Sequence, residues 1–505
     1  MKNHIYTKLS KSLFSACLMG SVLILGSCKK NLDYVSYGDL NSVVKTAAGA
    51  GAVTSAAYTG LAGGGDWQGG WTAGTYAWRT QAMMTTDEGV CAWGGDWVKM
   101  NSLNYNPDFD WVTHNYKNYM PYISRIAINL DDIQNITMDE GLKKRYMAEL
   151  KALRAHYAEL IYFNYGPVNI VTDPKIAADP NAPVLARPAS SVTVAQIEKD
   201  YLEAIDVLPD RFTGGDYGRF SKAAALTGLM KLYMHEKNWA KAVEAGMKIK
   251  TEGYALQDNY EDNFSIANKG GASKEIILAI VCTPTGGDQY TNMWLAHSLP
   301  ADYKDPSGIN LTAWGGYKMP WKTYDKFDQT DKRLKVLLRK YPIGKDANGN
   351  VIYKDARADG QIGAVPMKFA PDPSKANAQN SGVDFPIYRY ADVLLMLAES
   401  INEANGGPND EAYSDINAVR NRAGLANLTS GLSKAQFLAK IQDERLFELW
   451  SEGWRKDDLI RWNLFTQRAA NDGSGTAEAF KVLLPLPRVV VNQSNGVIKQ
   501  NPGYN

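Results

Sequence analysis

Two kinds of side chain in this sequence could carry chemistry: tryptophans set among glycines, and acidic or histidine residues at short spacings. Trp93-Gly94-Gly95-Asp96-Trp97 puts two indoles and a carboxylate into one glycine-rich stretch, which Trp67 and Trp71 precede. Trp294, Trp314, Tyr317 and Trp321 gather again downstream. An indole can bury a flat C–H face, such as that of a sugar ring, while a nearby carboxylate or amide bonds the polar rim. Trp67, Trp71, Trp93, Asp96, Trp97, Trp294, Trp314, Tyr317 and Trp321 are therefore the candidate ligand platform, and it needs no proton transfer. Packing of the loops themselves and contact with another protein compete for the same rings, because aromatics also anchor protein interfaces. Trp111, Trp239, Trp450, Trp454 and Trp462 lie in helical patterns and read as packing residues.

The remaining spacings do not assemble a reaction. His235-Glu236 opens like a zinc-protease helix, but Trp239 stands where the second histidine is required. Gly63-Gly64-Gly65 lacks the later glycine of a dinucleotide fingerprint, and no nucleophile elbow or phosphate-binding loop is present. Asp346 and Asn348 begin like a calcium loop, yet Val351 occupies the turn position and no glutamate closes it. Asp131-Asp132 and Asp457-Asp458 point about 100° apart on a helix and make poor acid–base pairs. Glu444, Arg445, Glu448, Glu452, Arg455 and Arg461 read as an ion-pair network between helices, since Glu448 and Glu452 share a face with Arg455 three residues on. No catalytic residue, metal ligand or cofactor is expected; a structural calcium in a loop stays open.

The elements that must position these residues are mainly helices. Periodicity predicts helices over about 40–61, 116–133, 142–165, 194–208, 222–235 and 239–252. In the third, Tyr146, Leu150, Leu153, Tyr157 and Leu160 line one face, and Gly166-Pro167 ends it. Tyr233, Trp239 and Ala242 fall at three tetratricopeptide consensus positions, a partial match to two antiparallel helices that bury an aromatic face. Residues 63–105 read as structured loops, because glycine at this density breaks helices. The stretch 284–385 is irregular, with Asn348-Gly349 predicting a β-hairpin turn. Helices return over 390–405, 410–423, 434–452 and 456–465.

The chain has 505 residues, 45% hydrophobic, which suffices for one large or two ordinary domains. Its formal charge of +1 gives no reason to expect nucleic acid or an anionic membrane surface as partner. Lys2, Lys8 and Lys11 precede an apolar run from Leu13 to Leu25, too short to span a bilayer and typical of a secretion signal. Leu25-Gly26-Ser27-Cys28 then resembles a lipobox, which makes Cys28 the expected acylated first residue of the mature chain. Several acyl chains anchor stably, at about 0.8 kcal/mol per buried methylene. Beyond the leader, Cys91 and Cys282 allow at most one disulfide.

Several longer segments resemble the SusD/RagB family, in that family's order. They are Pro386-Ile387-Tyr388-Arg389-Tyr390-Ala391-Asp392-Val393-Leu394-Leu395-Met396, the Glu444–Leu449, Glu452–Arg455 and Asp458–Trp462 blocks, and the Leu484–Pro487 and Gln500–Tyr504 tail. Upstream, Glu149–Tyr157 and Gly218-Arg219-Phe220 are similar to two further elements, while Leu446 departs where the family more often has arginine. The resemblance implies a mostly α-helical superhelix with tetratricopeptide-like helix pairs, long loop insertions and minor β-hairpins. The implied organisation is a signal peptide at 1–27, a lipidated tether at 28–40, a helical region with Trp/Gly-rich loops at 41–283, a loop-rich insertion at 284–385 and a C-terminal helical region at 386–505. It also implies an outer-membrane lipoprotein facing the cell exterior, held by its lipid alone. Such a protein binds oligosaccharide without cleaving it and passes it to a SusC-like TonB-dependent transporter. A peptide-binding variant and a structural lid without glycan affinity are the alternatives.

Overall fold

The computed structural model describes residues 45–63, 70–285, 290–374, 378–467 and 478–504. The leader, Cys28 and Trp67 lie outside them. The helices used below are α1 (Ala47–Ala57), α2 (Trp78–Met84), α3 (Asp96–Asn101), α4 (Asp110–Gln134), α5 (Glu140–Tyr165), α6 (Ser190–Ile205), α7 (Lys222–His235), α8 (Trp239–Lys250), α9 (Tyr390–Asn405), α10 (Asp410–Arg422), α11 (Lys434–Leu449) and α12 (Arg455–Arg461).

Their ends follow local chemistry. The Asp139 side chain accepts from Leu142 N to start α5, and Gly166, at φ 79°, ends it. Ser221 caps α7, and Ser433 with Gln436 forms a capping box on α11. The helix expected over 40–61 is described only from Ala47, and it breaks at Tyr58 before a further turn, Thr59–Ala62.

Consecutive helices pack in succession: α4 on α5, α5 on α6, α6 on α7, α7 on α8, α8 on α9, and α9 on α10 and α11. This is the mostly helical, repeat-like stacking that the sequence predicts. The α7–α8 pair includes the tetratricopeptide-like positions, with Ala242 fully buried. Gly246 on α8 lets the helices approach, since a Cβ there would stand 2.9 Å from Met230 of α7 and 3.1 Å from Leu397 of α9. Among the described residues no helix is long and apolar enough to cross a membrane.

Strands are few: β1 (Val90–Cys91), β2 (Ile276–Ile280), β3 (Tyr317–Pro320), β4 (Leu337–Leu338), β5 (Lys340–Lys345), β6 (Val351–Asp355), β7 (Gly363–Pro366) and β8 (Phe385–Arg389). β5 and β6 form the predicted antiparallel hairpin around Asn348-Gly349. The Asp346 side chain caps that turn by accepting from Asn348 N and Asn350 N. Among the described residues no group of three or more His, Cys, Asp or Glu side chains is placed to hold a metal ion. A four-stranded sheet runs in the order β1-β3-β7-β4. It joins the Trp/Gly-rich loops to the irregular middle of the chain through the register Val90↔Lys318 and Cys91↔Tyr317. Cys91 and Cys282 are both free, buried thiols, so the one available disulfide is not formed.

The acidic and basic residues of the C-terminal blocks form buried ion pairs. Arg389 bonds Glu275, Glu448 and Glu452; Arg422 bonds Glu275 and Glu448; Arg333 bonds Asp331, Glu444 and Glu448. A second chain runs from Lys231 through Asp392, Arg445, Asp458 and Arg461 to Glu399. These charges are occupied with one another and tie α7, α9, α11 and α12 into one body, although the single helical face expected for Glu448, Glu452 and Arg455 is broken after Leu449 and Arg455 pairs with Asp87.

Candidate functional site

The two sequence clusters of tryptophan come together at the β1–β3 junction. Trp93 follows β1, Trp97 sits on α3, and Trp314 and Tyr317 flank the start of β3. Trp93 lies 5.5 Å from Trp97, 5.8 Å from Tyr317 and 6.5 Å from Trp314, between ring centroids. Its indole Nε1–H donates to the Trp314 carbonyl at 2.8 Å. The Ala92 amide donates to the Gly316 carbonyl at 2.9 Å, which fixes the two segments side by side.

The group has a buried base and an exposed rim. Tyr317 is fully buried, stacks on His297 at 4.9 Å and donates its hydroxyl to the Ala73 carbonyl. Trp97 is nearly buried, edge-on to Trp111 at 4.6 Å, with Phe109 stacked beyond. Above this base Trp93 and Trp314 remain 39% and 38% exposed, their planes inclined at 58°. Val98, next to Trp97 on α3, is also exposed. Next to Trp93 the loop is open: a Cβ on Gly94 or Gly95, both at positive φ, would meet nothing within 4 Å. Asp96 is half-buried, with a partly accessible side chain that pairs with Lys99 at 2.6 Å, a contact that water screens.

Not every predicted residue joins this surface. Trp71 is 1% exposed, packed on Trp454 at 4.6 Å and under Gly453, so it belongs to the core. Trp294 is fully buried, its Nε1–H spent on the Pro366 carbonyl. Neither ring has a face to offer a ligand, and both expectations are withdrawn. Trp97 and Tyr317 are corrected from platform to support. Trp321 packs elsewhere, against Tyr324 and under Arg357, and donates to Gln361. That leaves Trp93, Trp314 and Asp96 at the surface. Sequence reading missed His297, which lies under three of the rings; its spacing three residues after Trp294 was the available signal.

Gly316 is the residue on which the arrangement turns. A Cβ there would stand 2.5 Å from the Trp93 ring, closer than any real contact allows. Gly316→Ala is therefore expected to displace the Trp93 indole and break its bond to Trp314 while leaving the helical core intact. Fluorescence quenching by acrylamide, compared with the wild type, would report this as increased tryptophan exposure. Unchanged quenching would mean that Trp93 does not rest on Gly316.

The comparisons with known proteins agree with this architecture. Residues 251–504, half of the chain, match the SusD family, and residues 65–234 match a family described as "Starch-binding associating with outer membrane". The chain is 28% identical over 386 residues to SusD-like protein P25 of Formosa agariphila, covering 70% of each chain. It is 25% identical over 492 residues to starch-binding protein SusD of Bacteroides thetaiotaomicron, covering 83% of this chain and 84% of the other. Among solved structures, a laminarin-binding SusD-like protein superposes with a TM-score of 0.76 at 24% identity, over 91% of this chain and all of that one. Surface glycan-binding protein A of Bacteroides thetaiotaomicron in complex with laminarihexaose gives a TM-score of 0.72 at 20% identity, over 90% and 99% of the two chains. The C-terminal blocks, the stacked helices and the matched half of the sequence lead to one assignment: this chain belongs to the SusD family.

Proposed function

We propose that this protein captures oligosaccharide on the bacterial cell surface and hands it to a SusC-like TonB-dependent transporter, without cleaving it. The observation that carries this reading is the pair Trp93 and Trp314: two half-exposed indoles, inclined to each other, on a packed aromatic base. Two tilted faces suit a glycan that bends between successive sugar rings better than a flat one. Asp96 and the open glycine loop leave room for hydroxyl groups at the rim. The acidic and basic residues of the C-terminal blocks are locked in buried pairs, which supports binding over hydrolysis. The names of the relatives, starch-binding and laminarin-binding, point the same way. Acylation of Cys28 would anchor the chain in the outer membrane, with the platform turned to the exterior.

The test is calorimetric titration of the chain from Lys29 onward with maltoheptaose and laminarihexaose, with the mixtures checked for cleavage products. Binding in the micromolar range or weaker is expected, since few contacts are made and the ligand must be released. Binding without cleavage, reduced in Trp93→Ala and Trp314→Ala, supports capture. Release of shorter products would overturn it, and silence toward every glycan would favour the structural lid.

A further inference from the structure

Lys318 is a buried cation held by main chain. It lies on β3, 2% exposed, and its Nζ donates to the carbonyls of Ser298 at 2.9 Å, Gly315 at 3.0 Å and Tyr317 at 3.2 Å. Among the described residues no carboxylate pairs with it. Burying an ammonium is costly unless its hydrogens are all used. Here each of the three finds a carbonyl. Two of those carbonyls, Gly315 and Tyr317, follow Trp314 directly in the chain, and the third belongs to the short helix Trp294–Ser298.

Other bonds share the same turn, beginning with the Ala92 amide to the Gly316 carbonyl described above. The Trp314 amide donates to Ala296 at 2.7 Å and the Gly315 amide to Leu299 at 2.8 Å. Trp314 receives one further bond, from the Trp93 indole. Without Lys318, the carbonyls of Ser298, Gly315 and Tyr317 would lose the donor that gathers them, each an expensive loss in a dry site.

We infer that Lys318 is a positioning residue for the glycan platform, a clamp whose ammonium holds the Trp314 turn against the Trp294–Ser298 helix, and that loss of its proton loosens that turn. The inference rests on the glycan-binding reading above. A neutral amine offers two hydrogens in place of three, so one carbonyl must be left unpaired. Burial lowers the Lys318 ammonium to about 8; a Cys91 thiolate would oppose this, but burial pushes the Cys91 thiol up to about 11. In the β1–β3 register Val90 stands opposite Lys318 and Cys91 opposite Tyr317, one position along, and among the described residues Cys91 is the one titratable group whose charge bears on Lys318. Platform geometry is thus expected to weaken as pH rises through about 8. Global stability moves the other way for this group. Its native value lies below the unfolded one near 10.4, so the unfolded chain holds the extra proton between them and stability rises with pH in that window. Weaker binding without unfolding is the signature.

Two measurements on the mature chain decide it. Amide hydrogen exchange at Trp314 and Gly315, corrected for intrinsic rate, is expected to quicken about tenfold between pH 7 and about 9.5, and to be fast at both in Lys318→Met. Calorimetric titration with laminarihexaose or maltoheptaose is expected to weaken about tenfold over the same range in the wild type, while Lys318→Met binds weakly with a flat profile. Protection at these amides that ignores both pH and the substitution would overturn the clamp, as would faster exchange with pH-independent binding. Faster exchange with no binding of either glycan at any pH would leave the clamp standing and reject the glycan reading instead. Should Lys318→Met fail to fold, Lys318→Arg takes its place: its charge does not titrate in this range, so both readouts are expected to stay flat with pH, and a wild-type pH dependence in it would overturn the clamp.

Discussion

Glu448→Gln is expected to destabilise the fold by about 3–5 kcal/mol, the range seen when one partner of a buried ion pair is removed. Glu448 is fully buried and accepts from Arg333, Arg389 and Arg422. The surrounding cluster balances: Arg333, Lys368, Arg389, Arg420 and Arg422 face Glu275, Asp331, Glu444, Glu448 and Glu452. Glutamine keeps the shape but leaves one positive charge uncompensated away from water. Burial alone would raise the Glu448 carboxyl, yet the guanidiniums of Arg422, Arg389 and Arg333 outweigh it and hold it far below the usual carboxylate range. Asp458 behaves likewise: burial raises it, but Arg445 and Arg461 prevail and bring it to about 2. For such depressed carboxylates the stabilising contribution is complete above the unfolded value near 4 and is lost as pH falls toward the folded one. Acid unfolding is therefore expected between about pH 4 and pH 2 in the wild type and at higher pH in Glu448→Gln. Urea unfolding supplies the comparison, with Lys335→Ala, which breaks the exposed pair to Glu261, as the control worth about 0–1 kcal/mol. A Glu448→Gln loss no larger than that control would mean the cluster does not hold the helices together.

The same cluster shows what the sequence made legible. Spacing alone suggested a network on one face through Glu448, Glu452 and Arg455, but α11 stops at Leu449 and Arg455 opens α12, where it pairs with Asp87. Glu448 and Glu452 do join the network, Glu452 from the turn between the helices. Its other members were not readable, because Glu275 ends the stretch before β2, Arg333 lies in a one-turn helix and Arg389 closes β8; only the fold brings them to α11. Helices were readable for a related reason: the 3.6-residue pattern and the caps are local, as in α5 with Asp139 at one end and Gly166 at the other. The platform was only half readable. Trp71 and Trp93 sit in similar glycine-rich surroundings, yet one lies beneath Gly453 and Trp454 while the other faces solvent. Which indole is covered depends on distant segments that local composition does not report. Trp93 and Trp314 stand 221 positions apart. They meet through β1, a two-residue strand too short to leave an alternating pattern.

Trp93→Ala and Trp314→Ala are expected to have the largest effect on binding. Truncating a central indole at an interface commonly costs about 2 kcal/mol or more, which is about thirtyfold in affinity. Two such losses would carry a micromolar binder to about millimolar, beyond ordinary calorimetry. The two are not expected to add, because Trp93 also supports its partner: its Nε1–H holds the Trp314 carbonyl, and its ring lies over Gly316. Trp93→Ala should therefore remove more than its own stacking face, and Trp314→Ala in that background should cost less than it does alone. Trp93→Phe separates the two effects, since it keeps an aromatic face and loses the hydrogen bond. Trp321→Ala serves as the outside control, because Trp321 donates its Nε1–H to the Gln361 carbonyl and lies under the Arg357 guanidinium, and the affinity of this variant should match the wild type. If the Trp93→Ala, Trp314→Ala double variant binds maltoheptaose or laminarihexaose as tightly as the wild type, the exposed indoles are not the ligand platform. Their exposure would then have to be explained by a protein that covers them.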